Sequence, residues 1–207
     1  MTQQWTRLNR EQAGAVLEQL STRKDAVVFS KDYTEVSWRE LSFYKRYRLC
    51  RLVNYATMPT FSMTYLSNDE EFISLDGTAN PIYTANEQDP IRLSATNIIS
   101  YLEFFFSNVQ GSEGDVFLIR DPRKMPMMNT LNPAQQESII SSFKPLSVTT
   151  DNSGNFKVSG TLYYGGGLTA TTVAVAPDGK ISFQEQSLLL SGIYFPDSLY
   201  SPAWVEG

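Results

Sequence analysis

Apolar residues recur at helical spacing in three stretches of the chain, and each stretch follows a residue that suits a helix N-cap. The first predicted helix begins behind Asn9 and occupies about residues 8–21. The second follows Ser94, and the third begins at Asn132, where the next residue is a proline that fits the first turn. A short helix is also predicted at Ser37, because Glu40 stands three residues later at the capping-box position. The apolar sides of the three main helices are formed by Val16, Leu17 and Leu20, then by Ile98, Ile99, Leu102, Phe105 and Phe106, and finally by Ile139, Ile140 and Phe143.

Elsewhere polar and apolar residues alternate with the period of two that is typical of β-strands. Alternation from Arg46 to Tyr55 and again from Phe61 predicts two antiparallel strands, and Phe72 to Leu75 predicts a third. The last quarter predicts a meander of four antiparallel strands, because short turn sequences separate its apolar runs. These four strands are Leu146 to Thr149, Phe156 to Tyr164, Leu168 to Val175 and Ile181 to Leu190.

Together the elements predict an α+β fold in which N-terminal and central helices pack on a curved antiparallel sheet that ends in the four-strand meander. One domain over residues 1–207 is expected, because the chain has no long linker and its 42% of hydrophobic residues suffices for a substantial core. No stretch has the apolar core of a signal peptide or the length of a membrane span, and the chain has one cysteine. Cys50 is predicted to be a small buried residue, and the cytoplasm is the expected compartment.

The 207 residues contain no histidine, which excludes serine and cysteine mechanisms that need an imidazole base, as well as two-histidine zinc motifs. No metal site and no cofactor are predicted. The formal net charge of −5 disfavours binding to nucleic acid or to an anionic membrane. Arg46, Arg48 and Arg51 stand beside Tyr44 and Tyr47, a composition that single-stranded nucleic-acid grooves share, but an ordinary solvated strand face is the favoured interpretation.

One carboxylate breaks the alternation of the meander. On the last strand Glu185 is predicted to share a face with Ile181, Phe183 and Leu189, which would bury it and raise its pKa into the range of a general acid or base. Arg51 breaks the alternation of an earlier strand in the same way. The two side chains would form a structural ion pair if their faces meet, and an exposed Glu185 on a bulged strand is a further alternative.

Two tyrosines are the remaining candidates for a binding site. Tyr163 and Tyr164 stand close to Gly160 and to the triple glycine at 165–167, and a strand glycine often marks the close approach of another group. Both are predicted to line the mouth of a cavity, together with Arg51 and Glu185 as ligand-binding residues. Ordinary core packing is the favoured interpretation for at least one of the tyrosines.

A third of the chain is similar to a pattern that recurs in a family of bacterial proteins with no established activity. The pattern comprises Ile73 to Gly77, Asn80-Pro81-Ile82, Asn86-Glu87, Asn97 to Phe105 and Gly111 to Ile119. Helices followed by a long antiparallel meander also resemble, in outline, the curved sheets of NTF2-like and cystatin-like folds. Such folds include enzymes and passive binding proteins, so the resemblance implies a curved sheet and no particular activity.

Three functional hypotheses follow from these observations. The first is a non-catalytic module that holds a small apolar or amphipathic ligand, or a partner segment, between the sheet and the helix after Ser94. The second is an acid–base enzyme, of the isomerase or hydrolase type, with Glu185 as the base and Tyr163 or Tyr164 as a hydrogen-bond donor. The third is a self-associating protein, such as a homodimer, that buries an exposed sheet face against a second copy.

Overall fold

The computed structural model describes residues 4–112 and 114–192. Within them the chain forms four α-helices and ten β-strands, all paired antiparallel in two five-stranded sheets. The helices are α1 (Arg10–Leu20), α2 (Asn80–Gln88), α3 (Ile98–Asn108) and α4 (Pro133–Ser142). The strands are β1 (Thr6–Arg7), β2 (Thr34–Glu40), β3 (Arg48–Asn54), β4 (Phe61–Ser67), β5 (Phe72–Ser74), β6 (Phe117–Leu118), β7 (Ser147–Thr150), β8 (Phe156–Tyr164), β9 (Gly167–Val175) and β10 (Ile181–Ser191). The predicted α+β class is confirmed.

The chain divides into two compact units. The first contains β1 to β5, α1 and α2, and the second contains α3, α4 and β6 to β10. The strands predicted in the first half therefore form a sheet of their own. Whether the two units amount to the single domain expected from the sequence stays a prediction.

In the first unit the five strands follow one another in sequence order across the sheet. Asn9 caps α1 as predicted, because its side-chain oxygen accepts a hydrogen bond from the Gln12 amide while the Gln12 side chain accepts one from the Asn9 amide. The apolar side of α1 covers one face of this sheet. The core between them contains Val16, Leu17, Leu20, Ala26, Phe29, Val36, Cys50, Leu52, Tyr65 and Phe72.

In the second unit β7, β8, β9 and β10 form the predicted four-strand meander, and β6 pairs with the far end of β8. On one face Tyr163 and Leu168 pack with the residues around α4, in a core that also contains Ile119, Met125, Met128 and Ile139. On the other face Val158, Leu162, Val173 and Val175 are buried, and the ring of Phe183 stacks on Phe106 of α3.

One local prediction is wrong, and one helix was not predicted. Ser37 and Glu40 belong to β2 and do not begin a helix. Pairing of β2 with β3 over seven residues satisfies more backbone hydrogen-bonding groups than a capping box would. Helix α2 has no counterpart among the helices predicted from the sequence, although the proline at its second residue stands where a helix tolerates one. None of the helices in the described residues is both long and apolar enough to cross a membrane.

Candidate functional site

Glu185 does not point into the core as the alternation predicted. Between Phe183 and Glu185 the register with β9 shifts by one residue, so Gln184 forms a β-bulge. The shift moves Glu185 to the opposite face from Phe183, where it pairs with Thr172 and is exposed to solvent. The predicted burial of Glu185, on which the catalytic hypothesis depends, is therefore wrong. The alternative of an exposed glutamate on a bulged strand is confirmed.

Glu185 lines a shallow depression of about 290 Å³ on the second unit. Its floor includes the hydroxyls of Ser159 and Thr172, whose oxygens are 2.9 Å apart and share a hydrogen bond. Lys144 lines the same depression, and within the described residues it forms no ion pair with Glu185. Gly160 lies there because the chain leaves no room for a side chain: a Cβ atom would stand 2.6 Å from Leu146 Cδ2. The close approach at this glycine thus comes from the protein itself.

The two candidate tyrosines pack against other residues of the protein, and their side chains point to opposite faces of the sheet. Tyr163 is buried, and its ring stacks on Phe117 with 6.0 Å between centroids. Tyr164 packs against Gly111, and its hydroxyl shares a 2.9 Å hydrogen bond with the Ser112 hydroxyl. Tyr163 lies on the same face of the sheet as Glu185. It is four residues along its strand from the position that is in register with Glu185, which corresponds to a separation of about 13 Å. The structure does not bring these residues into one pocket.

Arg51 lies on β3 of the first unit, on the same face as Leu49 and Val53, as the alternation predicted. Its guanidinium stacks over the indole of Trp5, with 4.2 Å between Cζ and the ring centroid. The Nε–H is buried and has no hydrogen-bond partner among the described residues. Arg51 and Glu185 belong to different sheets in different units, so their ion pair stays a prediction.

The larger concavity is a groove of about 780 Å³ in the first unit, which we call the α1 groove. One wall is the side of α1 that carries Ala15 and Val16, and the other is the sheet at β1 and the end of β2. Its volume falls within the usual range for small-molecule sites. The groove is lined by Gln4, Thr6, Arg7, Leu8, Gln12, Ala15, Val16, Gln19, Trp38, Glu40, Arg48 and Asp69.

The charged residues of the α1 groove are balanced and largely paired. The guanidinium of Arg48 stacks over Trp38, with 4.0 Å between Cζ and the ring centroid. Arg48 also forms ion pairs with Asp69 and, at 3.8 Å, with Glu40. Its Nε–H is buried and has no hydrogen-bond partner among the described residues. The ion pairs orient Arg48 beside the indole and leave one donor unsatisfied at the groove wall.

The polar groups of the groove are mostly neutral amides. Gln12 is held in place by its capping interaction with Asn9. In the described part of the chain, the side chains of Gln4 and Gln19 make no hydrogen bond at all. Gln12 and Gln19 belong to the α1 wall and Trp38 belongs to the sheet wall, so the groove combines an apolar surface with amide donors and acceptors.

Sequence reasoning missed the α1 groove. Its lining comes from β1, α1, β2, β3 and the turn after β4, which are far apart along the chain and show no common motif. One signal was available, because Gln12, Ala15, Val16 and Gln19 recur at helical spacing beside the apolar side of α1. That stripe marks a second face of the helix but does not reveal what stands opposite.

Cys50 is fully buried beside the apolar residues of the first unit, as predicted. Burial raises the pKa of its thiol to about 12, so the reactive thiolate is not populated near neutral pH. Cys50 therefore contributes packing and no nucleophile.

No family model, no curated protein and no solved structure matches the chain. The similarity to a bacterial family and to NTF2-like or cystatin-like sheets accordingly stays a prediction.

Proposed function

We propose that the protein is a non-catalytic module that binds a small amphipathic ligand in the α1 groove. The observation that carries the proposal is the combination, in one concavity of about 780 Å³, of the Trp38 surface with glutamine side chains that have no partner among the described residues. Pockets for small molecules typically pair an apolar wall with a few polar groups that fix orientation.

The charges of the groove indicate which ligands suit it. Arg7 pairs with Glu35 at 3.2 Å, and Arg48 pairs with two carboxylates. Among the described residues that line the groove, no charged side chain is therefore left unpaired for an ionic ligand. A neutral molecule with an apolar ring or chain would lie on Trp38, while its amide, hydroxyl or carbonyl groups bond to Gln4 and Gln19. A carbonyl oxygen near Arg48 would also satisfy its buried Nε–H after a small shift of that side chain.

Binding is favoured over acid–base catalysis because the enzyme hypothesis needs a buried carboxylate at Glu185. Glu185 is exposed on the bulged strand, and neither Tyr163 nor Tyr164 lines its depression. The acidic chain is a poor partner for polyanions, so nucleic acid is not proposed as a ligand. The cytoplasm remains the proposed compartment, on the grounds of the single cysteine.

A fluorescence titration with N-phenyl-1-naphthylamine tests the proposal, since this neutral aromatic amine brightens in apolar sites. We expect saturable binding to the wild type, with quenching of tryptophan emission as the probe covers Trp38. Ala15→Phe fills the groove from an exposed helix position, so the affinity should fall at least about tenfold. Native mass spectrometry of the protein as purified would in parallel show any ligand carried from the expression host.

The matched control is Glu11→Phe, which adds the same ring to an exposed position of α1 outside the groove. It should bind the probe like the wild type. Equal affinity in the wild type and in Ala15→Phe, or no saturable binding to the wild type, would overturn the proposal.

A further inference from the structure

Arg51 is a half-buried charged residue that has no counter-charge among the described residues. It lies on β3, and none of the ion pairs within the described part of the chain includes it. Its Nε–H is buried and donates no hydrogen bond there. Withdrawing a charge from water carries a large cost unless an opposite charge or hydrogen-bond acceptors replace the lost hydration. The position of Arg51 therefore indicates a place for an anion.

The face of the first sheet that carries Arg51 offers it no carboxylate. In the five described strands this face has one acidic residue, Glu35, and the Arg7 guanidinium already holds it at 3.2 Å. The residues in register with Arg51 on the neighbouring strands are Ser37 and Thr64. Ser37 is buried, whereas Thr64 is partly exposed and its hydroxyl can donate to an anion at the guanidinium. These strands thus surround Arg51 with hydroxyl groups and leave its charge to an external acid.

The indole of Trp5 fixes where the Arg51 guanidinium lies. Arg51 Cζ is 4.2 Å from the ring centroid, and Arg39 Cζ is 5.0 Å from the same centroid. Stacking on a ring uses the flat face of a guanidinium and leaves the N–H groups along its edge available. That edge is the part that binds a carboxylate or phosphate with two parallel hydrogen bonds. Trp5 therefore orients the fork of Arg51 before a ligand arrives, which lowers the entropic cost of binding.

We infer that Arg51, Trp5 and Thr64 form a binding site for a small oxyanion, namely the carboxylate or phosphate group of a small molecule. We call it the oxyanion site. Both groups present the pair of acceptor oxygens that the arginine fork requires. A polyanion is disfavoured because the whole chain carries a net charge of −5. A single oxyanion responds mainly to the charges within the screening length of about 8 Å, where Arg51 lies.

The oxyanion site is separate from the α1 groove of the proposed function. Successive residues of a strand point to opposite faces, and Arg51 is in register with Ser37 whereas Cys50 is in register with Trp38. Trp38 belongs to the face that α1 covers, where it lines the groove. Arg51 belongs to the other face of the same sheet. The two sites can therefore be occupied and disrupted independently.

Nuclear magnetic resonance of isotope-labelled protein, titrated with inorganic phosphate and separately with acetate, tests the inference. The signal of the Arg51 Nε–H, assigned by its loss in Arg51→Lys, should shift saturably with at least one of the anions at low ionic strength. Sodium chloride at the same ionic strength should not reproduce the shift. A response to phosphate alone assigns a phosphate group, a response to acetate alone assigns a carboxylate, and a response to both assigns an oxyanion of either kind.

Substitutions at Arg51 separate its charge from its shape, with the Trp5 indole N–H as the reporter. Arg51→Met removes the charge, keeps the apolar stem and should weaken anion binding at least about tenfold. Arg51→Lys keeps the charge but lacks the planar fork, so its affinity should lie between those of the wild type and Arg51→Met. This second variant keeps the test decisive if Arg51→Met does not fold. The matched control is Arg10→Met, which removes an exposed arginine of α1 and should bind like the wild type.

The remaining outcomes overturn the inference. They are the absence of a saturable shift with either anion, and equal weakening by Arg10→Met and Arg51→Met, which would show an effect of net charge alone. A shift of the Arg51 signal in Glu185→Gln would identify Glu185 as the counter-charge. Binding of a single-stranded DNA oligonucleotide that is lost in Arg51→Met would assign this face to nucleic acid. Arg51→Met should bind N-phenyl-1-naphthylamine like the wild type, so failure of the oxyanion site is distinguishable from failure of the proposed ligand site.

Discussion

Replacing Arg23 by methionine should destabilise the first unit more than any loss of a surface charge would. The guanidinium donates to both carboxylate oxygens of Asp25, at 2.9 and 2.8 Å, and to the carbonyl of Phe72 at 2.9 Å. It also lies over the ring of Tyr65, with 5.5 Å between Cζ and the centroid. Arg23 thus ties the segment after α1 to β5 and to the core.

The magnitude follows from these contacts. The ion pair is about one-third exposed, so it contributes only about 0.2–1 kcal/mol. The charged hydrogen bond to the Phe72 carbonyl adds about 1.5–3 kcal/mol and the contact with Tyr65 about 0.5–1 kcal/mol. We expect Arg23→Met to lower the free energy of unfolding by about 2–5 kcal/mol, the sum of these three contributions, since methionine keeps the apolar stem.

Urea denaturation, followed by tryptophan fluorescence and by circular dichroism, measures this change. The control is Arg10→Met, because Arg10 and Asp32 are both well exposed and their charged atoms are 3.8 Å apart. That variant should stay within about 0.5 kcal/mol of the wild type. If Arg23→Met is no less stable than Arg10→Met, the three contacts contribute nothing measurable and the reasoning is refuted.

The pH dependence gives a second test of the same group. Hydrogen bonds from Arg23 hold the pKa of Asp25 below its ordinary value of 3.8. On acidification the Asp25 carboxylate is therefore protonated at a higher pH in the unfolded chain than in the native chain. The stabilisation that ionised Asp25 contributes is present above its ordinary pKa and is lost as the pH falls below it. The difference between wild type and Arg23→Met should shrink between neutral pH and about pH 3. A constant difference over that range would contradict this assignment.

Three further variants or probes test the packing. Cys50 should resist iodoacetamide in the native protein and react in urea, because burial raises its thiol pKa to about 12; rapid native labelling would contradict that burial. Tyr101→Phe removes a 2.8 Å hydrogen bond from a buried hydroxyl to the Gly179 carbonyl and should cost about 1–3 kcal/mol, seen as a lower melting temperature. Gly160→Ala should cost about 1–3 kcal/mol in urea denaturation, since its Cβ would stand 3.1 Å from Leu146 Cα, and an unchanged midpoint would show that the strand adjusts freely.

The C-terminal meander was predictable because its turns are encoded locally. Gly154, Gly165 and Gly179 all adopt positive φ, the conformation that their turn sequences indicated. Helix α1 was predictable for the same reason, since its cap is formed by residues within four positions of one another. Local chemistry therefore predicted the elements whose backbone hydrogen bonds are satisfied by neighbours in sequence.

The candidate site was not predictable, because its geometry depends on pairing between distant segments. Alternation assigns a face to Glu185 only if the strand is regular, and nothing in its own sequence marks Gln184 as the bulged residue. The groove beside Trp38 likewise exists only once β1 and β2 pair and α1 packs on them.

The two bulges of β10 also affect how the protein behaves when it is crowded. This strand lies at the end of the order of described strands in its sheet, and its residues 182–188 are all exposed with a single charge among them. A straight strand of that kind would recruit further copies into growing intermolecular β-structure. The bulges at Gln184 and Leu189 twist the backbone away from the flat, regular strand that such growth requires. They therefore disfavour intermolecular pairing at this strand without the lysines or prolines that often serve this purpose.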